Sequence, residues 1–425
     1  MALTDFTIIR RSLRTRLFST VTTVLTVAVA VALMLVLLSM RDAGRRAFSR
    51  GPGNMHVLVS ADASPLVSVL NSVFYAKAPQ RAISFARFKQ IAADPRIDFA
   101  VPIQQGDSYR GFPTLATTPE FFTRFRPEFD RAWEFSAGGP FTGDFDVVVG
   151  AEAARATGLR VGDKLVVTHG QDAHGHGHEH DDHPYRVVGI LKSTGSPHDR
   201  AVFITLNSTW LIHADEKRHD KHGDKAEEPT LENLTEDEKL ITGVYLGVKG
   251  REGSGAPPLA GAVFADLRKD PSLTVALPSR EIDSLFTIVG NIDKIIIGIA
   301  LVVLVSSGIT IMLALYNSMD QRRRQIAILR VLGASGGRIF GLVLTESAVI
   351  GLPGAAMGVV LALVGGAIVA GVLRDRLGLV IEAGVEPVWG LIVFAGATLL
   401  ACIAGIIPAI GAYQTPVVHN LRPHA

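Results

Sequence analysis

Cysteine is almost missing from this sequence. The single one, Cys402, lies in an apolar stretch, so an intrachain disulfide framework and a Cys-rich zinc site are both excluded. No G-x-x-x-x-G-K-[ST] occurs anywhere, so the chain does not itself supply a phosphate-cradling loop. H-E-x-x-H is also missing, because His178 and Glu179 are followed by His180, Asp181 and Asp182. A zincin-type hydrolase is therefore unsupported. A charge surplus is lacking too: the formal net charge is +2 over 425 residues. That argues against a nucleic-acid partner, which needs a strong basic field.

What the sequence has instead is apolar length. Residues 17–40 contain no charged side chain and are long enough to cross a bilayer core of roughly 30 Å. A cleaved signal peptide fits poorly, because the run is too long and Arg41, Asp42, Arg45 and Arg46 follow it. Phe6, Ile9, Leu13 and Leu17 have helical spacing, which predicts an amphipathic segment along the membrane surface before the span. A second span is expected at 295–316. It is preceded by a stalk in which Ile282, Leu285, Phe286, Val289 and Ile292 recur every three or four positions. The third apolar stretch, 339–373, is longer than one span needs. Gly351, Pro353, Gly354 and Gly358 interrupt it, which predicts a kink or a start outside the hydrocarbon. The fourth run is 388–412, with Pro408 near its end.

Orientation follows from arginine. Arg10, Arg11, Arg14 and Arg16 precede the first span, and Arg41, Arg45, Arg46 and Arg50 follow it, so that span decides nothing. The short loop between spans two and three carries Arg322, Arg323, Arg324, Arg330 and Arg338, and short arginine-dense loops stay in the cytoplasm. Both termini are then inside and residues 41–284 outside. The fold class read from this pattern is a membrane protein with four transmembrane α-helices. A large α+β extracytoplasmic domain is inserted between helices 1 and 2. The expected segments are 1–40 (amphipathic segment and helix 1), 41–284 (external domain), 285–316 (stalk and helix 2) and 317–338 (cytoplasmic segment). Then come 339–373 (helix 3), 374–387 (short external loop), 388–412 (helix 4) and 413–425 (cytoplasmic tail).

Within the external domain, strands are expected at 55–60, 146–150, 164–168, 185–191, 201–205, 242–249 and 273–276, with helices at 84–93, 119–125, 151–157 and 261–269. This predicts a mixed sheet. Two inserts break the pattern. Residues 214–239 carry ten acidic and five basic side chains and read as a solvated, partly disordered loop. Residues 169–183 hold six of the thirteen histidines: His169, His174, His176, His178, His180 and His183. Alternating imidazoles can converge on Zn or another divalent transition metal. Gly175 and Gly177 leave no preformed geometry, so a surface loop with incidental chelation is nearly as well supported. A hairpin tip between 164–168 and 185–191 is its natural place.

The stretch NSMDQRRRQIAILRVLGASGGRIFGLVLTESAVIGLPGAAMG, from Asn317 onward, resembles permease subunits of ABC transporters of the MacB, LolC and FtsX type. The stretches RRSLRTRLFSTVTTVLTV, GGPFTGDFDVVVGAEAARATGLRVGDKLVV, YRVVGIL and DRAVFITL are similar to the same family. The resemblance implies a non-enzymatic permease in a bacterial inner membrane. It works with a separate ABC ATPase subunit and a second permease copy, as homodimer or heterodimer. The 322–335 segment would be the ATPase-coupling helix, with Arg322, Arg323, Arg324, Ile326, Leu329, Arg330, Leu332 and Gly333 as its site. Gln325 stands where that family usually carries Glu. Read from its residues, the same segment is a short helix with Ile326, Leu329, Val331 and Leu332 on one side and Gly333 at its end, or a basic cluster touching membrane lipid. Glu346 is expected in water at the interface or paired with Arg338 or Arg330. Export or handling of a metal or metal chelate, lipoprotein or lipid extraction, and mechanical signalling to a periplasmic partner protein all stay open. So does a membrane-anchored metal-binding receptor outside ABC systems.

Overall fold

The computed structural model describes residues 5–128, 131–169, 184–222, 227–250, 257–377 and 384–414. The chain divides into two compact units. One is essentially Arg45–Ile288; the other combines Met1–Gly44, Val289–Asp375 and Ile381–Ala425.

The helices in chain order are α1 (Asp5–Thr15), α2 (Leu17–Arg50), α3 (Pro65–Ser72), α4 (Phe85–Ala92), α5 (Glu120–Thr123), α6 (Ala151–Thr157), α7 (Leu206–His222), α8 (Pro258–Leu267), α9 (Pro278–Val331), α10 (Gly336–Leu377) and α11 (Pro387–Tyr413). The strands are β1 (Val57–Ser60), β2 (Ile83–Ser84), β3 (Ile97–Gln104), β4 (Asp107–Tyr109), β5 (Phe112–Thr117), β6 (Phe135–Gly138), β7 (Asp146–Val149), β8 (Lys164–Leu165), β9 (Thr168–His169), β10 (Tyr185–Leu191), β11 (Val202–Thr205), β12 (Leu240–Ile241), β13 (Gly243–Val248) and β14 (Thr274–Ala276).

The Arg45–Ile288 unit is built on one mixed sheet, ordered β14-β1-β13-β3-β5-β11-β7-β10-β6. Two pairings are parallel, β10 with β7 and β11 with β5. Central strands are apolar on both faces. Val57 and Val59 point to one core and Leu58 to the other; Val147 and Val149 oppose Val148; Val202 and Ile204 oppose Phe203. This two-sided burial is why they read as continuous apolar runs. Each buried Val or Leu contributes about 1.5–3 kcal/mol, so both faces need cover. One is covered by α4, α6, α7 and α8 through Ile91, Ala153, Trp210 and Val263. The other is covered by α3 and by the Phe121, Phe122 and Phe125 cluster.

The expected 164–168 strand splits in two. Lys164 and Leu165 pair with β10, as a hairpin would require. Thr168 and His169 leave it and pair with β4, at Ser108 and Asp107. The segment expected as a solvated loop, 214–239, is also corrected. Residues 214–222 complete α7, because Ala214 is buried in the core and Arg218 is held by Glu238 and Asn233. The strands β3 and β5, absent from the expected set, lie at the centre of the sheet.

The second unit is helical. Among the described residues, four helices contain stretches long and apolar enough to cross a membrane: Leu17–Arg50, Lys294–Met319, Gly336–Val372 and Pro387–Tyr413. In α2, Val27, Val31, Leu35 and Leu38 are buried, while Val21, Leu25, Val29 and Leu33 are exposed. Exposed apolar rows recur on the others, at Ile295, Ile299 and Val302, and at Leu399, Ile403 and Ile407. Surfaces this apolar belong in hydrocarbon. Contacts inside the bundle use small residues, including Ala355, Ala362, Ala397 and Ala401. α10 runs through Pro353 as a single helix of 42 residues, longer than one span needs, as its apolar length implied. The stalk and second span form one helix, as expected, and that helix runs on without a break into the arginine-rich segment as far as Val331, 54 residues in all, where a separate short helix was expected.

Candidate functional site

The arginine-rich segment forms the last turns of α9 and the tip of a helical hairpin with α10. Nothing between Tyr316 and Leu332 breaks a helix: there is no Gly or Pro. Gly333 then adopts φ of +92°. The Ala334 amide donates to the Leu329 carbonyl, and the Gly333 amide to Arg330. This is the left-handed C-terminal cap that glycine permits. Ser335 starts the next helix, its Oγ accepting from the Arg338 amide at 3.2 Å. Only Leu332 to Ser335 separate α9 from α10.

The hairpin tip is seated by a small core of Met319, Ile326, Ile339, Val343, Ala409 and Ala412. Arg330 Nη1 donates to the Tyr413 carbonyl at 3.3 Å, at the end of α11. Gly336 faces the Tyr413 ring so closely that a Cβ there would lie 2.7 Å from it. These contacts divide the site residues into two groups. Ile326 is 6% exposed and faces inward, into that core. This corrects the expectation of one apolar side comprising Ile326, Leu329, Val331 and Leu332. Leu332 is 77% exposed, Val331 and Ile328 are exposed beside it, and Arg323 is exposed as well. Leu329 and Arg330 are half-buried. Ile328 is the residue that sequence reading missed; its signal was its place three before Val331. The side chains of Arg322 and Arg324 lie outside the described set.

Glu346 is buried, not in water, one residue before the fully buried Ser347. At the other end of the bundle's sequence, Arg16 Nη2 donates to the Ser318 carbonyl at 3.1 Å. The α1–α2 junction is thereby fixed to α9 just before the arginine-rich turns.

His174, His176, His178, His180 and His183 lie outside the described residues; His169, in β9, pairs through its backbone with Asp107 of β4. No group of three or more metal-capable side chains occurs among the described residues. His198 is fully buried in the Arg45–Ile288 unit. Its Nδ1 lies 2.7 Å from the Tyr75 hydroxyl and its Nε2 3.1 Å from the Gly51 carbonyl oxygen. Rings of Phe121, Phe125 and Trp133 surround it. Burial pushes its pKa down to about 4, with the Gly51 hydrogen bond opposing. Burial likewise raises the Tyr75 phenol, so the proton stays on oxygen.

The sequence profile of the MacB-like periplasmic core domain matches residues 20–238, just over half of the chain. That of the FtsX-like permease C-terminal domain matches 297–417. An uncharacterized ABC transporter permease of Methanocaldococcus jannaschii is 22% identical over 247 residues, covering 57% of this chain and 55% of that protein. The alignment thus spans about half the length of this curated relative. Among solved structures, the periplasmic region of MacB from Actinobacillus actinomycetemcomitans is similar at 10% identity and a TM-score of 0.33. That match covers 56% of this chain and 94% of the other. The extracellular domain of the ABC-type transporter YknZ from Gram-positive bacteria is similar at 9% identity and a TM-score of 0.28. It covers 52% of this chain and 98% of the other.

Proposed function

The chain belongs to the ABC-transporter permeases of the MacB and FtsX type, and from that premise we propose that it transmits the work of a separate ATPase subunit to its external domain. The reading places both termini in the cytoplasm, residues 41–284 outside and four helices across the membrane. It pairs two permease copies, because the motors of this family work in pairs. The ATPase docks on the hairpin tip through Arg323, Ile328, Val331 and Leu332, with Arg322, Arg324, Leu329 and Arg330 alongside. Ile326 and Gly333 hold the tip in shape.

The single observation that carries this reading is α9. It is one uninterrupted helix from Pro278 to Val331, roughly 80 Å long at 1.5 Å per residue. A rod of that length, capped by exposed apolar and basic side chains, turns a push at one end into motion at the other. The lack of a phosphate-cradling loop is consistent with ATP chemistry residing in the partner.

The test is the complex purified from its own cells without wild-type permease. Arg323→Glu and Leu332→Asp should insert normally yet retain about tenfold less ATPase subunit, as loss of an interface anchor predicts. Undiminished ATPase retention and turnover in both would overturn the docking reading.

The histidine tract at 169–183 supports a second, narrower reading, in which the cargo is a metal or metal chelate. Deleting 174–183 should then lower metal tolerance of the cells without changing assembly; unchanged tolerance removes that reading.

A further inference from the structure

A groove of about 340 Å³ opens beside α1 in the helical unit. Its lining is apolar (Ile9, Leu13, Leu17, Val21 and Val349, with Thr20) except for Arg10 and Arg14. Ile9 is buried, so α1 is seated on the bundle and the groove is a feature of packed helices. Leu17 and Val21 are strongly exposed at its edge. Both arginines are exposed, and no acidic residue occurs in the sequence from Phe6 to Arg41. The groove therefore straddles a boundary. Guanidinium groups stand on its polar side, and its apolar side opens onto the first turns of a membrane span.

That chemistry fits one kind of molecule. A free phosphate has no use for five apolar side chains, and an uncharged lipid has no use for two exposed guanidiniums. A phospholipid with net negative charge uses both: acyl chain on Leu13, Leu17, Val21 and Val349, phosphate on Arg10 and Arg14. We propose that this groove is a binding site for one anionic phospholipid. The Arg16 hydrogen bond to Ser318 ties its wall to α9. Lipid in the groove therefore braces the same end of the bundle as the hairpin tip. The site does not depend on the ATPase reading.

The full chain, purified in neutral detergent, is titrated with a phosphatidylglycerol and with a phosphatidylcholine of identical acyl chains, and bound lipid is counted by native mass spectrometry. The wild type should bind one phosphatidylglycerol saturably and prefer it to phosphatidylcholine. Arg10→Gln with Arg14→Gln should weaken phosphatidylglycerol binding about thirtyfold, near fivefold per arginine, whereas Arg11→Gln, outside the lining, should not. Leu13→Trp fills the groove with both arginines intact and should also abolish the saturable site; it carries the test should the double variant fold poorly. Equal binding of the two lipids, or unchanged phosphatidylglycerol binding in either groove variant, overturns the proposal. So does displacement of the lipid by millimolar glycerol 3-phosphate, which would reveal a phosphate site only.

Discussion

The imidazole Nε2 of His198 donates to the carbonyl oxygen of Gly51, 3.1 Å away, and so fixes the residue directly after α2 to the aromatic core of the Arg45–Ile288 unit. The tautomer is dictated by the partners: Gly51 can only accept, and the Tyr75 hydroxyl donates to Nδ1 at 2.7 Å. A second proton would force the Tyr75 hydroxyl to turn from donor to acceptor and would carry charge into a ring cluster.

That arrangement predicts an acid weakness with a definite sign. The ordinary imidazole pKa is 6.5 and burial brings His198 to about 4 in the fold. Above 6.5 both folded and unfolded chains hold it neutral, and its contribution is fully present. As pH falls from 6.5 towards 4 the unfolded chain takes up a proton that the folded chain refuses, so stability drops, by about 3 kcal/mol in all. Thermal unfolding of the full chain in detergent should show this drop in wild type and lose most of it in His198→Gln. At neutral pH that variant should itself be destabilised by about 1–3 kcal/mol through lost hydrogen bonds. An identical pH profile in both proteins would refute the assignment.

A second expectation concerns how the helices of the bundle approach one another. A Cβ on Gly358 would lie 2.6 Å from the Val31 Cβ and 2.8 Å from the Ala28 carbonyl oxygen. Val31 is fully buried and the Ala28 oxygen is backbone, so neither can yield cheaply. Gly358→Val should lower stability by about 1–3 kcal/mol, the usual cost of overpacking. Gly366 has no atom within 4 Å of its would-be Cβ among the described residues. Gly366→Ala should therefore be neutral or gain about 0.5–1 kcal/mol from helix propensity. Melting both variants side by side in the same detergent checks the contrast.

Sequence reading reached the bundle and the arginine-rich tip because both are written locally. Apolar length defines a span without knowledge of its neighbours, and Gly333 marks the end of α9 by itself. It did not reach β3, where Asp98 and Pro102 interrupt the apolar pattern. The strand exists because it pairs with β13, a partner far along the chain. The glycines near Pro353 looked like breakers, yet Gly354 and Gly358 serve close packing on Val27 and Val31, which no single helix reveals. The inward turn of Ile326 was hidden for the same reason, since it depends on Ala409 and Ala412 of α11. The end of α7 was misread because high charge density usually means solvation, and the ion pair that orders it joins residues twenty apart.

That ion pair yields the third expectation. Arg218 Nε and Nη2 donate to the two carboxylate oxygens of Glu238 at 2.9 and 3.0 Å. Arg218 also donates to the Asn233 carbonyl at 3.0 Å. The Arg218 hydrogen bonds hold the Glu238 carboxyl at about 2, against its ordinary 4.5. The sign is that of His198, a folded pKa below the unfolded one: the contribution is complete above 4.5 and fades as pH falls towards 2. At neutral pH, Glu238→Gln therefore removes the bidentate partner without changing shape. The charge-assisted bonds are worth about 1.5–3 kcal/mol, so the last turns of α7 should open more often. Trypsin has Lys217, Arg218 and Lys221 there, and cleavage within 217–221 should run roughly tenfold faster than in wild type, if local opening limits it. The rest of the chain should melt unchanged, since the buried face of α7 at Trp210 and Ala214 is untouched. Equal cleavage rates in the two proteins would return this segment to the solvated loop that its composition suggests.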